Sequence, residues 1–122
     1  MRIAAAVIED GDRIVPLPDS PTVVILDTET LQTERHPNPG HPLTQNRRAA
    51  TTEFLHAHGV SLVCAVPLTF CPASQDKARS YGMRFVLVPE GTTWNDVVRQ
   101  KMWNGEQTVD RIPDDDLFRL RL

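Results

Sequence analysis

The sequence predicts an α/β fold, a three-layer sandwich around a mixed five-stranded sheet, in the order β-β-β-α-β-α-β-α. Three observations lead there. Short apolar and β-branched runs recur at Ile3 to Ile8, Thr22 to Leu26, Ser61 to Val66 and Arg84 to Val88, the pattern of strands covered on both faces. The later runs alternate with segments that carry helix start and stop signals. The composition, 40% apolar and 24% charged over 122 residues, is that of one globular domain. At this length roughly two-thirds of the unfolded chain's surface can be buried, so one core suffices and no second independent domain is expected.

Ile3 to Ile8 reads as a fully buried strand, followed by a turn at Glu9-Asp10-Gly11-Asp12 and a loop stiffened by Pro16, Pro18 and Pro21. Thr22 to Leu26 supplies the second strand. Asp27 to Thr30 can then reverse the chain into a more polar third strand near Leu31 to His36, a hairpin with an exposed outer member. Pro37, Pro39 and Pro42 exclude helix and central strand over His36 to Pro42, because each removes a donor and restricts its predecessor. Thr44 is read as the N-cap of a helix over Gln45 to His58, with Ala50, Phe54 and Ala57 at helical spacing and Gly59 as its stop. After the strand Ser61 to Val66, Cys71-Pro72 opens a second helix that Tyr81-Gly82 closes. The strand Arg84 to Val88 follows. Thr93 and Asp96 then resemble a capping box, and Trp94, Val97, Val98 and Met102 make one apolar stripe, so a third helix is expected to about Trp103.

The α/β domain is therefore expected over 1–103, with a C-terminal extension over 104–122. In that extension Phe118, Leu120 and Leu122 alternate with Arg119 and Arg121. A docked strand across a dimer interface, a short helix capped by Asp114 to Asp116 and a loose tail all fit, so the protein is expected as a monomer or a homodimer.

Right-handed crossovers make the fourth and fifth strands parallel to the first, a topology of the ribonuclease H type. The turns after the first, third, fourth and fifth strands then emerge at one edge of the sheet, together with the N-termini of all three helices. Ligands of open α/β sheets bind at such an edge, and the helix tips favour an anion. The expectation is one shared hollow.

Lys and Arg number 13 against 16 Asp and Glu, for a net charge of -3, which disfavours a nucleic-acid partner. The longest apolar run is far short of the ~20 residues that span a bilayer, and Met1-Arg2 leads into it without a cleavage-type segment, so no membrane partner is expected. Two cysteines are too few for a disulfide scaffold, so a reducing cytoplasm is the expected location.

Cys71 is the most informative residue. A thiol at the start of a helix has its thiolate favoured by the dipole and free N–H groups, and would ligate a soft metal or react as a nucleophile; the bland alternative is an inert, part-buried cysteine. Cys64 lies inside an apolar strand and is read as core. His36 and His41 bracket a proline-stiffened loop, so Cys71, His36 and His41 together would suit a soft or borderline metal, against the alternative of two solvated loop imidazoles. Arg47 and Arg48 fall in the first turn of a helix, where positive charge opposes the macrodipole; an anionic ligand would explain them, as would simple solvation. Arg13 lies at the same edge. Asp10, Asp12, Asp27 and Glu90 do not form a two-metal carboxylate cluster, because Asp27 falls at the opposite edge. Nucleophile-elbow, P-loop and dinucleotide fingerprints are absent, so an enzyme is not expected.

The chain resembles the dinitrogenase iron-molybdenum cofactor biosynthesis family, the NifX-like proteins, over about 1–100. The resemblance rests on Arg2-Ile3-Ala4-Ala5-Ala6-Val7, Val24-Ile25-Leu26-Asp27, Asn38-Pro39-Gly40, Phe54-Leu55 before His58-Gly59-Val60, Pro72-Ala73, and Gly82-Met83-Arg84-Phe85-Val86 followed by Glu90-Gly91-Thr92. It implies a ribonuclease H-like fold and a non-enzymatic protein of nitrogen-fixation type that binds or carries an iron-sulfur or molybdenum-iron-sulfur cluster among cluster-assembly proteins. Two departures stand out. The family's His-Phe-Gly element is replaced by Leu17-Pro18-Asp19-Ser20-Pro21, and its glycine-rich turn after the fourth strand by Val66 to Pro72, which adds the thiol of Cys71. Cys71, His36 and His41 are then the expected metal ligands, with Arg13, Arg47 and Arg48 as charge complements. The alternative is a metal-free interaction or regulatory module that has lost the cluster site.

Overall fold

The structure, a computed structural model, describes residues 1–119 of the chain. It is α/β, with three α-helices on a mixed, open sheet of seven strands. The strands are β1 (Arg2–Ile8), β2 (Arg13–Val15), β3 (Thr22–Asp27), β4 (Thr33–Pro37), β5 (Leu62–Ala65), β6 (Arg84–Leu87) and β7 (Thr108–Val109). The helices are α1 (Arg47–Ala57), α2 (Pro72–Ser80) and α3 (Trp94–Gln100).

The strand order is β4-β3-β1-β5-β6-β7, with β5 parallel to β1 and β6 parallel to β5, while β1 with β3, β3 with β4 and β6 with β7 pair antiparallel. β3 pairs along one side of β1 from Arg2 to Val7. The other side is shared: β5 takes Ile3 and Ala4, and the short β2 takes Ala6 to Ile8. Five strands were expected. The two additional ones, β2 and β7, are three and two residues long, too short for alternation to show in a sequence.

Alternation along β1 sorts its side chains between two cores. Ala4 and Ala6 join Leu55 of α1 and Ala78 of α2 on one face, while Ile3, Ala5 and Val7 join Trp94 and Val97 of α3 on the other. The alanines let the crossing helix pair approach closely. Cys64, fully buried on the α3 face, is core as expected, and burial pushes its thiol up to about 12.

Several boundaries moved for local reasons. α1 begins at Arg47 rather than Gln45, because Asn46 and not Thr44 precedes it, in a left-handed conformation and without a side-chain cap. Its buried positions are Thr51, Thr52 and Leu55, while Ala57 is exposed; the threonine hydroxyls reach back to the Arg47 and Arg48 carbonyls, which lets polar residues occupy the inner face. α3 stops at Gln100, where Lys101 turns left-handed, and a separate 3-10 turn carries Met102 and Trp103. The residues from Gly105 onward return to the sheet as β7 and then cross over the loop after β5, where Ile112 and Leu117 are buried. Asp114–Asp116 form a single 3-10 turn. The expected alternation through Leu120, Arg121 and Leu122 lies outside the described residues.

The capping box expected at Thr93 and Asp96 is present. At α3 the Thr93 hydroxyl accepts from the Asp96 N–H and the Asp96 carboxylate accepts from the Thr93 N–H, both at 3.2 Å, and this backbone bond holds the Asp96 carboxyl below the usual range. A carboxyl whose value is lower in the folded chain adds stability above its unfolded value and loses it as pH falls through the folded one. Asp96→Asn is therefore expected to weaken the fold at neutral pH and to flatten the loss of stability below about pH 4. Urea unfolding at a series of pH values reads both effects; an acid limb with wild-type slope would count against the cap.

Candidate functional site

The carboxyl ends of β1, β5 and β6 and the connections around them do meet at one edge. Hydrogen bonds tie them together: Ile14 N–H to Thr92 O at 2.9 Å, Trp94 N–H to Asp12 O at 2.9 Å, and Leu68 N–H to Asp116 O at 2.8 Å. The sheet nevertheless divides this edge. α1 and α2 lie on one face and α3 on the other, so two helix tips, not three, share a hollow.

That hollow is a groove of about 880 Å3 between the N-terminal ends of α1 and α2. Arg47, Arg48, Cys71, Lys77, Phe118 and Arg119 line it, with Asn46, Ala49, Pro72, Ala73 and Ser74 among the rest. Among the described residues no aspartate or glutamate lines the groove, in a chain where acids outnumber bases 16 to 13. Lys77 and Arg119 are countered from outside the lining by Glu53 and Asp114, so the positive local field comes from Arg47 and Arg48.

The two arginines are built into the walls. Arg47 donates to the carbonyls of Gly40 at 3.2 Å, Pro18 at 2.8 Å and His41 at 2.7 Å. Arg48 donates to Thr69 O at 3.1 Å and Leu68 O at 2.9 Å, with the Phe118 ring 4.3 Å over its guanidinium carbon. In both, these bonds use Nε and Nη2, and among the described residues Nη1 has no acceptor. Neither forms an ion pair with a described carboxylate, whereas Lys77 meets Glu53 at 2.6 Å and Arg119 lies 3.9 Å from Asp114. Burial lowers the Arg48 value, opposed by the nearby Cys71 and Asp19. The guanidinium remains charged.

The seat of Arg48 is strained. Leu68 is exposed and left-handed, with φ +73°, a conformation costing a non-glycine residue roughly 1–2 kcal/mol. Its N–H is held by Asp116 O while its C=O faces Arg48. Leu68→Gly is expected to leave stability unchanged or raise it by up to about 1 kcal/mol. Denaturant melting checks this, and a clear loss would mean that the leucine side chain packs more than its exposure indicates.

Cys71 caps α2. Its sulfur accepts from Ser74 N–H at 3.4 Å and lies 3.1 Å from Ser74 Oγ, which in turn accepts from Cys71 N–H at 2.9 Å. It is half-buried, with the groove beside it.

The expected trio of Cys71, His36 and His41 is not brought together. Among the described residues no three His, Cys, Asp or Glu side chains form a group able to hold a metal ion. His36 sits on the outer strand β4, bonded to Glu34 at 3.0 Å and packed on Phe54 and His58 near the far end of α1. His41 has Nδ1 2.9 Å from Pro18 O, in the loop that Arg47 clamps. Arg13 is also elsewhere: it pairs with Thr93 in an isolated bridge and lies 3.9 Å from Asp10, at the tip of α3. Arg47, Arg48 and Cys71 are the expected residues that do converge.

Sequence reasoning missed Lys77, Phe118 and Asn38. Ser74 and Lys77 are three apart on α2 and share a face, a signal that could have found Lys77. Asn38, 3% exposed, ties the proline loop down: its amide donates to Leu17 O and Ser20 O at 2.6 and 2.8 Å, and its oxygen accepts from Thr51 Oγ1 at 2.6 Å and Gly40 N–H at 3.2 Å. A Cβ on Gly40 would collide with the Arg47 carbonyl and the Thr51 hydroxyl. Asn38-Pro39-Gly40 thus sets the position of the helix start that carries both arginines.

Fold and groove together define an open α/β domain with a basic cleft, free of carboxylates among its described lining residues, at the carboxyl edge of its sheet. Sequence comparison matches the chain to no protein-family model and to no curated protein. Solved structures do share the fold. The apo form of the orange protein (ORP) from Desulfovibrio gigas aligns with a TM-score of 0.73 at 17% identity, covering 88% of this chain and 89% of that one. A candidate NifB protein from Thermotoga, of the DUF35 family, aligns with a TM-score of 0.65 at 15% identity, covering 88% of this chain and 90% of that one. At these identities the likeness is one of fold. Among the described residues no helix is long and apolar enough to cross a membrane.

Proposed function

We propose that the protein is a binding or carrier protein, not an enzyme, for an anionic metal-sulfur cluster of iron-sulfur or molybdenum-iron-sulfur type, received in the groove between α1 and α2. The observation that carries this is the convergence of Arg47 and Arg48, neither paired with a described carboxylate, and one thiol at the edge where open α/β sheets take ligands. Cys71 would be the soft ligand. The Nη1 groups of Arg47 and Arg48 would hold the negative charge through charge-assisted hydrogen bonds.

The donor set suits a preassembled cluster better than a bare ion, since a divalent metal held by protein alone takes about four donors and one sulfur is at hand. His36 and His41 have no part in this site. The fold shared with a protein solved in its apo form and with a candidate NifB protein supports kinship with nitrogenase-cofactor proteins, on a ribonuclease H-like core over 1–103. The extension, 104–122, would contribute a wall of the groove through Phe118 and Arg119. A reducing cytoplasm and cluster-assembly partners go with such a cargo.

Reconstitution with iron, sulfide and molybdate under reducing conditions, read by absorption and metal analysis, tests the proposal. Wild type is expected to take up metal, and Cys71→Ser to bind it about tenfold or more weakly. Equal metal content in both would remove Cys71 from the site and the soft-metal assignment with it.

A further inference from the structure

The groove lining has a second character besides its charge. Ala49, Pro72, Ala73 and the Phe118 ring bring apolar surface into it, and at about 880 Å3 its volume falls in the range of sites for organic molecules. A compact inorganic anion seated on the arginines would leave that apolar lining wet. Phe118 is held firmly: its N–H donates to Phe70 O at 2.8 Å, its neighbour Leu117 is buried, and its ring lies over the Arg48 guanidinium at 4.3 Å. One wall is thus already a stack of two flat groups, one charged and one aromatic, and such a stack favours a further flat group against it.

We infer that the ligand of the groove is an anion bearing a flat, conjugated apolar portion, its charge on Arg47 and Arg48 and its flat part against Phe118 and Pro72. This rests on the groove being an anion site, as proposed above. It makes the cargo a metal-sulfur anion that carries an organic part, and makes Phe118 the residue that selects for that part.

The test compares 2-naphthalenesulfonate with inorganic sulfate by isothermal titration of the full chain. Wild type is expected to prefer the aromatic anion by about tenfold or more. Phe118→Ala is expected to reduce the preference to about threefold or less, read as the ratio of the two affinities because the same ring also seats Arg48. Should that variant fail to fold, Phe118→Leu, which keeps an apolar anchor and loses the stack, is expected to lower the preference at least about threefold. Equal affinity of wild type for the two anions, or an undiminished preference in the folded variants, overturns the inference and leaves the anion site standing. Failure of wild type to bind either anion overturns both.

Discussion

Replacing Asn38 by leucine, close to it in size, is expected to destabilise the fold by about 3–5 kcal/mol. The side chain is buried and makes four hydrogen bonds, two given and two received. Leucine would leave the Leu17 and Ser20 carbonyls and the Gly40 N–H short of a partner in a buried place, while the Thr51 hydroxyl keeps the Arg47 carbonyl, and each such loss costs about 1–3 kcal/mol. Networks of this kind cost more to break than single bonds. The same substitution at Asn95, exposed on α3, is the control and should change little. Urea unfolding of the two variants decides it: a loss under about 1 kcal/mol at Asn38 would mean that the loop has another anchor.

The double substitution Arg47→Gln, Arg48→Gln is expected to weaken binding of molybdate, used as a simple anionic probe, by about a hundredfold. Glutamine keeps an N–H donor for the carbonyls that the arginines clamp, so part of the wall structure survives while both charges go. Wild-type affinity should fall with added salt, and the variant's much less. Arg48→Lys is the informative intermediate: it retains charge but has no planar fork to reach Leu68 O, Thr69 O and a ligand together. Titration calorimetry beside denaturant melts separates two roles. A variant that loses stability and keeps its affinity would reduce the arginines to loop clamps, which is what the metal-free alternative requires.

Much of the fold was legible because strong local signals agreed with the global pattern. Proline at the start of α2, the Thr93 and Asp96 box, and Gly59 and Gly82 with φ of +73° and +80° all mark ends that any fold would need. Where the sequence misled, a distant contact decided. Thr51 and Thr52 sit inside because Asn38 and helix carbonyls satisfy them, and no 3.6-residue count of apolar positions could register that. The site was legible in part for the same reason. Cys71, Arg47 and Arg48 converge because each belongs to a helix tip and parallel strands align those tips. His36 stands away, although the connection after β4 does reach the edge, since its own strand faces it toward the body of α1 and the ring of Phe54. Topology places loops; strand alternation then aims the side chains. Phe118 depends on a chain crossing over 105–117 that has no periodic signature.

The two thiols of the chain live in different worlds. Cys64 is sealed in the α3-side core with its proton held up to about 12, whereas Cys71 borders the groove. A maleimide or iodoacetamide added to the native protein should therefore count one site per chain, and a second only on unfolding. Cargo held through Cys71 should shield that one thiol from the reagent, so the fraction of chains left unlabelled would count filled clefts without any cysteine having to be engineered away.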